Sequence, residues 1–306
     1  MPEPTSQTAT ENHSSASSIR SKITTIVIEY GKTILITFAA AIFLKIFVIE
    51  AYRIPSASME QTLSIGDFLF VNKLSYGLRT PLHIPFTNIR IPSLVIPLCA
   101  HLHHGDVVVF EFPGAKDQTN TSEPINYIKR CVGLPGDTIE IRLGHVFVNK
   151  KELHFPPTII RTSHPTGEQW KSPADLFPDG SNFTDVNYGP LIVPKRGSIV
   201  ALNPANYALW HLVIQREGHT IELDTNSVLI DGKPESTYTI QKDYYFVLGD
   251  NRDNSLDSRF WGFVPDNLLI GEALVIYWSW DTEMPVHNFS DKLHTIRWKR
   301  IGTIIR

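Results

Sequence analysis

Pro55-Ser56-Ala57-Ser58-Met59 sets two serines one alanine apart, a few residues beyond an apolar run and with no histidine near. A hydroxyl is a poor nucleophile until a neighbour removes its proton. The usual partner is histidine, and the chain has 12. Ser58 nevertheless lies outside any G-x-S-x-G elbow, and no histidine stands in a context that ties it to Ser58. The other base known for serine is a neutral lysine. Free lysine titrates near 10.4, so deprotonation at neutral pH costs about 4–5 kcal/mol unless the site lowers that value. Burial does so, because dry surroundings disfavour the ammonium. A catalytic lysine therefore belongs on an apolar strand, as Lys129 would between Tyr127-Ile128 and Cys131-Val132. A lysine that only snorkels from a strand edge is the plain alternative.

Other chemistries find less support. The 306 residues carry 28 Lys+Arg against 31 Asp+Glu, with no basic run interleaved with aromatics, so nucleic-acid binding is not expected. Asp250 to Asp257 invites a calcium-loop reading. Counted from Asp253, however, the sixth position is Ser258 rather than Gly and the twelfth is Val264 rather than Glu. The spacing of His101, His103 and His104 offers no carboxylate partner or helical context in the sequence, so a solvated turn suits them better than a metal. Neither metal nor cofactor is expected. Cys99 and Cys131 permit one disulfide, with two independent buried thiols as the default.

These residues need elements to hold them. Residues 1–19 are Ser- and Thr-rich with almost no large apolar side chains, and read as a disordered tail. The segment 20–50 reads as a transmembrane anchor. Its core, TILITFAAAIFLKIFVI from Thr33 to Ile49, spans about 25 Å as a helix, and flanking turns extend it towards a bilayer core of about 30 Å. A cleaved signal would end at a small-x-small site, which EAYRIPS does not offer. A buried globular helix would show a polar stripe. Arg20, Lys22 and Lys32 on the N-terminal flank favour a cytoplasmic N-terminus.

Beyond the anchor the chain reads as mainly β: a first part over 51–150, an inserted second β region over 151–240, and a last part over 241–306. GDVVVFEF, YIKRCV and DTIEI are β-branched and aromatic runs between turn signals. Leu134-Pro135-Gly136-Asp137 suits a type II turn, which predicts a hairpin between YIKRCV and DTIEI. No long helical period is legible before the last twenty residues. A weak repeat is legible: Thr138–Ile141 with Val146–Asn149 reappears 82 residues on, as Thr220–Leu223 with Val228–Asp231. Gly105–Val108 has a similar echo in Gly197–Val200. Chance likeness of hairpins and a duplicated module are equally open, and a duplicate would put His211 where Lys129 stands. Leu94–Leu98 is a candidate for a bilayer-touching loop, or for burial.

Four blocks, PSASMEQTLSIGDFLFVNKLSYG, GDVVVFEFP, YIKRCVGLPGD and LGDNRDNSLDSRFWG, resemble in order the conserved boxes of the type I signal peptidases. The resemblance implies a membrane-bound serine endopeptidase with a Ser–Lys dyad and a mostly β body. Such an enzyme removes signal peptides from exported preproteins after small residues, at the outer, periplasmic face of the bacterial inner membrane. It implies Ser58 as nucleophile, Lys129 as general base, and Ser56 with the Ser58 N–H as oxyanion donors. Ser255 would hydrogen-bond the lysine, and Asp257–Arg259 would be a structural ion pair, with an ordinary surface pair as the rival. The pocket beside the cut falls on Ile54, Pro55, Met59, Leu63, Tyr127 and Ile128, and the one two residues back on Tyr52, Ile54, Leu69 and Ile128. All of these are equally plausible core residues. Implied partners are signal-peptide-bearing preproteins, the lipid bilayer and nearby export machinery.

Many Gram-negative members of that family carry two spans before the catalytic part, where one is legible here, and the region over 150–240 is an insertion compared with compact members. A specialised processing peptidase of the same dyad class and a catalytically silent, tethered peptide-binding β domain remain open as rivals. Self-cleaving repressors share the dyad but carry a DNA-binding module, which is not legible here.

Overall fold

The computed structural model describes residues 8–80, 89, 95–96, 102–114, 125–155, 176–284 and 289–306. Two compact units emerge, Met1–Val48 and Ile49–Arg306. The first is a single helix, α1 (Thr8–Phe47). Its Ile26–Phe47 portion is, by length and composition, the one described helix able to cross a membrane. Ile34, Leu35, Ile36 and Phe38 are all exposed on it, as side chains meant for lipid would be. Helix also occupies residues 8–19, where the composition predicts a tail. That stretch contains neither Pro nor Gly. Once the apolar turns exist, each further residue gains one hydrogen bond for one residue fixed.

The second unit is mainly β. Its strands are β1 (Ile49–Arg53), β2 (Asp67–Asn72), the short β3 (Leu78–Arg79) and β4 (Val95–Ile96), β5 (Val107–Glu111) and β6 (Asn126–Gly133). Then follow β7 (Thr138–Arg142), β8 (His145–Val148), β9 (Lys151–Glu152), β10 (Tyr188–Ile192) and β11 (Ile199–Ala201). After helix α2 (Tyr207–Arg216) come β12 (Ile221–Leu223), β13 (Val228–Ile230), β14 (Lys233–Glu235), β15 (Thr237–Thr239) and β16 (Tyr244–Leu248). Short helix α3 (Ser258–Trp261), β17 (Val264–Pro265), β18 (Leu269–Ser279) and α4 (Phe289–His294) complete the chain.

Seven strands form the main sheet in the order β1-β2-β18-β5-β6-β16-β17. Ile54, Leu69, Val71, Val107, Val109 and Ile276 pack into one core against it, and Val108, Phe110, Val247 and Trp261 into another. A third core joins β7, β8, β10, α2 and β12 through Ile139, Val146, Leu191, Val213 and Ile221.

Several expectations need correction. β6 and β7 do not form a hairpin. The turn between them exists, with Asp137 N–H donating to Leu134 O at 3.0 Å and Gly136 at φ 93°. Yet β6 already has β5 on one side and β16 on the other, so β7 has no edge to join and pairs with β8 and β10 instead. Nor does packing divide the body at 150 or 240, because β7 (from the first part) and β10 (from the inserted region) share a sheet, and Tyr238 and Ile240 share a core with Tyr244 and Phe246. Helix α2, unread in the sequence, buries Trp210, Leu212, Val213 and Ile214. Leu94, Pro97 to Cys99, His101 and most of the 151–180 stretch lie outside the described residues.

The repeat is structural. β7 and β8 pair through Ile139↔Val148 and Ile141↔Val146, and β12 and β13 through Ile221↔Ile230 and Leu223↔Val228, each 82 residues on. The following turns match too: Asn149 and Lys150 have φ of 51° and 70°, and Asp231 and Gly232 have 50° and 76°. Asn149 Oδ1 accepts from Thr138 N–H, and Asp231 Oδ1 from Thr220 N–H, both at 2.9 Å. The counterpart of β6 is helix α2, with His211 at the place of Lys129. The echo of Gly105–Val108 goes no further, since β5 and β11 have different partners.

Candidate active site

β1 is an edge strand whose ladder continues past Arg53, with Ile54 N–H donating to Asp67 O at 2.9 Å and Gly66 N–H to Ile54 O at 3.0 Å. Pro55 biases Ile54 to extended backbone. Ser56 is extended too, at φ −135° and ψ 158°, and Ala57–Met59 then make one 3-10 turn. Met59 and Leu63, both fully buried, pin that turn from below. Ser58 is consequently held at the floor of the site, 9% exposed.

Lys129 comes from β6, opposite Val108 of β5, and is 4% exposed. In a flat sheet the four strand spacings from β1 to β6 would span about 19 Å. Here Lys129 Nζ lies 2.6 Å from Ser58 Oγ, because the sheet curls and the Pro55–Ser58 segment closes the remaining gap. The amine also donates to Ile128 O at 3.1 Å and lies 5.4 Å from the centre of the Tyr127 ring.

Burial pulls the Lys129 amine down to about 8, against the Asp257 and Asp250 carboxylates, which favour the ammonium. Each of those acids has its own arginine. Arg130 Nε and Nη2 donate to Asp250 at 2.8 and 2.6 Å, and Thr62 Oγ1 donates to the same carboxylate at 2.6 Å. Arg259 Nε and Nη2 both donate to Asp257 at 2.9 Å, and Gly249 N–H adds a third bond at 3.1 Å. Both pairs are out of water, with side chains 0–3% exposed, so the surface-pair reading of Asp257–Arg259 is excluded. Burial alone would raise the Asp257 carboxyl, but Arg259 holds it below the usual carboxylate value. The neutralised acids leave desolvation to dominate at Lys129.

Ser255 is buried beside this cluster, yet its Oγ has no hydrogen-bond partner, so the bond to Lys129 that the resemblance implies is not made. The amine is instead occupied by Ser58 Oγ and Ile128 O. Ser56 is exposed and makes no side-chain cap bond, so its hydroxyl remains available to a bound group. Of the pocket residues, Ile54, Met59, Leu63 and Leu69 are buried in one cluster, on which the half-buried Tyr52 and Ile128 pack. Pro55 is exposed, and half-buried Tyr127 stacks on Phe112 at 4.6 Å. Cys131 is a free, buried thiol, while Cys99 lies outside the described residues.

Sequence reasoning missed Thr62, Arg130, Asp250, Gly249 and Asn251. Asn251 bonds the nucleophile turn twice, N–H to Ser58 O at 3.1 Å and Nδ2 to Ala57 O at 3.2 Å. Gly249 leaves room for that turn, since a Cβ there would stand 2.6 Å from Ser58 O. The signal was a charge pattern: Arg130 beside the candidate base on an apolar strand, and Asp250 just after the apolar run Tyr244–Leu248.

A buried serine hydroxyl against a desolvated lysine amine, on a curled and mainly β body, is an arrangement that suits a serine endopeptidase. The chain belongs to the signal peptidase family, peptidase S26, whose family model matches residues 27–278. It is 32% identical over 278 residues to a signal peptidase I of Pseudomonas aeruginosa, covering 87% of this chain and 78% of that one. Against the signal peptidase I of Buchnera aphidicola subsp. Schizaphis graminum it is 33% identical over 283 residues, covering 88% and 78%. A signal peptidase I of solved structure from Enterococcus faecalis aligns over 56% of this chain and 96% of its own, with 21% identity and a TM-score of 0.26.

Proposed function

We propose that the protein is a membrane-anchored signal peptidase I, which cleaves signal peptides from exported preproteins after small residues. The single observation that carries this reading is the 2.6 Å contact between Ser58 Oγ and a lysine amine that is out of water.

In the proposed reaction, neutral Lys129 takes the Ser58 proton as Oγ attacks the scissile carbonyl. The developing oxyanion receives the Ser58 N–H and the Ser56 hydroxyl. That amide belongs to the first turn of a helix, where N–H groups have no intrahelical acceptor. The Lys129 ammonium then gives its proton to the leaving amine. Water, deprotonated by the amine, releases the acyl group from Ser58. Ser255 Oγ, buried without a partner, is suited to hold the amine once Ser58 is acylated and no longer bonds it.

Substrate recognition follows the sheet. β16 meets β6 only from Arg130 onward, so Asn126–Lys129 keep β5 on one side and offer their other edge to an extended chain. Side chains of such a chain alternate, and two of them would meet the walls formed by Tyr52, Ile54, Met59, Leu63, Leu69, Tyr127 and Ile128, with Pro55 at the rim. Walls this bulky leave shallow pockets, which reject large side chains by overpacking. The anchor would hold the body on the periplasmic face of the inner membrane, beside the export machinery, with the N-terminus cytoplasmic.

The test is cleavage of a preprotein with small residues before the junction. Intact protein should process it, and Ser58→Ala and Lys129→Ala should each be inactive while retaining the parent's circular dichroism. Processing by Ser58→Ala would end the dyad reading.

A further inference from the structure

The last ten residues return to the site. Arg297 N–H donates to Ser279 O at 2.9 Å, Ile276 N–H to Thr303 O at 3.0 Å and Ile305 N–H to Leu274 O at 2.9 Å, so the segment runs alongside β18. Ile305 is buried in the same core as Ile54, Met59 and Leu63. Arg300 then reaches into the loop that follows the nucleophile turn. Its guanidinium pairs with the fully buried Asp67 through Nε and Nη2, and Nη2 also donates to Thr62 O at 3.0 Å. Arg297 Nη1 donates to Ile65 O at 2.8 Å in the same loop. Ser279 Oγ donates to Asp67 at 2.7 Å, and so does Ser64 N–H.

Thr62 is where this bracing meets the chemistry. Its carbonyl takes the Arg300 donor, while its hydroxyl donates to Asp250 at 2.6 Å. Asp250 in turn is clasped by Arg130, the residue next to Lys129. Thr62 also lies four residues after Ser58, between the buried anchors Met59 and Leu63. Movement of the loop would therefore move Ser58 relative to Lys129, and the two C-terminal arginines hold the loop at Thr62, Ile65 and Asp67, beside the bonds from Ser279 to Asp67 and from Trp280 N–H to Gly66 O.

We propose that the C-terminal segment Arg297–Arg306 is a positioning element of the active site, acting through Arg300 and Thr62 to fix Ser58 against Lys129. This rests on the dyad assignment. A loose oxygen is a slow nucleophile, since misplacement of about 1 Å costs roughly a hundredfold in rate.

The experiment measures kcat and KM on one preprotein, with thermal melts, for Arg300→Gln, Thr62→Val, Thr62→Ser and the Arg300→Gln/Thr62→Val pair. Arg300→Gln and Thr62→Val should each lower kcat by about 10- to 100-fold with KM changed less than about threefold. Thr62→Ser, which keeps both the carbonyl and the hydroxyl, should restore most of that loss. The double variant should fall no further than the slower single one, as expected of residues on one path. A lowered melting temperature with unchanged kcat in Arg300→Gln, or additive losses in the double variant, would overturn the inference. If Arg300→Gln does not fold, Thr62→Val decides, and an unchanged kcat there overturns it equally. Ser58→Ala in the same series tests the dyad itself, so failure of the strap beside an inactive Ser58→Ala leaves that reading standing.

Discussion

Asp257 and Arg259, two residues apart in sequence, close a two-pronged ion pair at the buried end of α3, and Arg259 Nη2 also donates to Arg252 O at 2.6 Å. The pair is a neighbour of the Lys129 amine, and Asp257 acts on it electrostatically. An unpaired carboxylate there would favour the ammonium and disable the proposed base. Paired, it carries no net charge, and burial governs Lys129.

Arg259→Gln tests that coupling. It leaves a buried charge unpaired, which typically costs about 3–5 kcal/mol of stability. It also strengthens the negative field of Asp257 on Lys129. The midpoint of the pH–rate curve should move upward from about 8, and a midpoint that stays in place would separate the pair from the chemistry.

The pH dependence itself has a definite sign. The proposed mechanism requires a neutral amine, so kcat/KM should climb as pH passes about 8, rather than near 6 to 7 where a histidine base would titrate. Stability follows the same equilibrium in the same direction. Lys129 falls from 10.5 to about 8 on folding, so between those values the unfolded chain binds more protons and stability rises with pH. Below that window the buried ammonium costs roughly 3 kcal/mol. Lys129→Met should therefore be inactive yet melt higher than the parent at pH 7, with the difference shrinking towards pH 10. Melts across that range check it.

Gly249→Ala probes space rather than charge. The added methyl would stand 2.6 Å from the Ser58 carbonyl oxygen and against Ser255 Oγ, so the nucleophile turn must shift. We expect a loss of about a hundredfold in kcat, from misplacement, for a stability cost of about 1–3 kcal/mol. Parallel rate and melting measurements would show the disproportion.

Much of this protein was legible one residue at a time. An anchor declares itself by length and apolarity, which depend on no partner, and Ile26–Phe47 is long and apolar enough to span a bilayer. Strands such as Val107–Glu111 declare themselves by β-branched runs. The lysine condition, an amine among apolar neighbours, was also local, and Lys129 is indeed buried. What the sequence could not contain was pairing. The turn at Leu134–Asp137 is real, but whether β7 returns to β6 depends on which edges β5 and β16 have already taken. Helix α2 occupies the place of a strand because its apolar face meets a core assembled from distant segments. Thr62, Asp250, Arg130 and Arg300 span 238 positions from first to last, and no spacing rule links them. Curling of the main sheet brings those segments together in space, and with them a hydroxyl and an amine 71 residues apart.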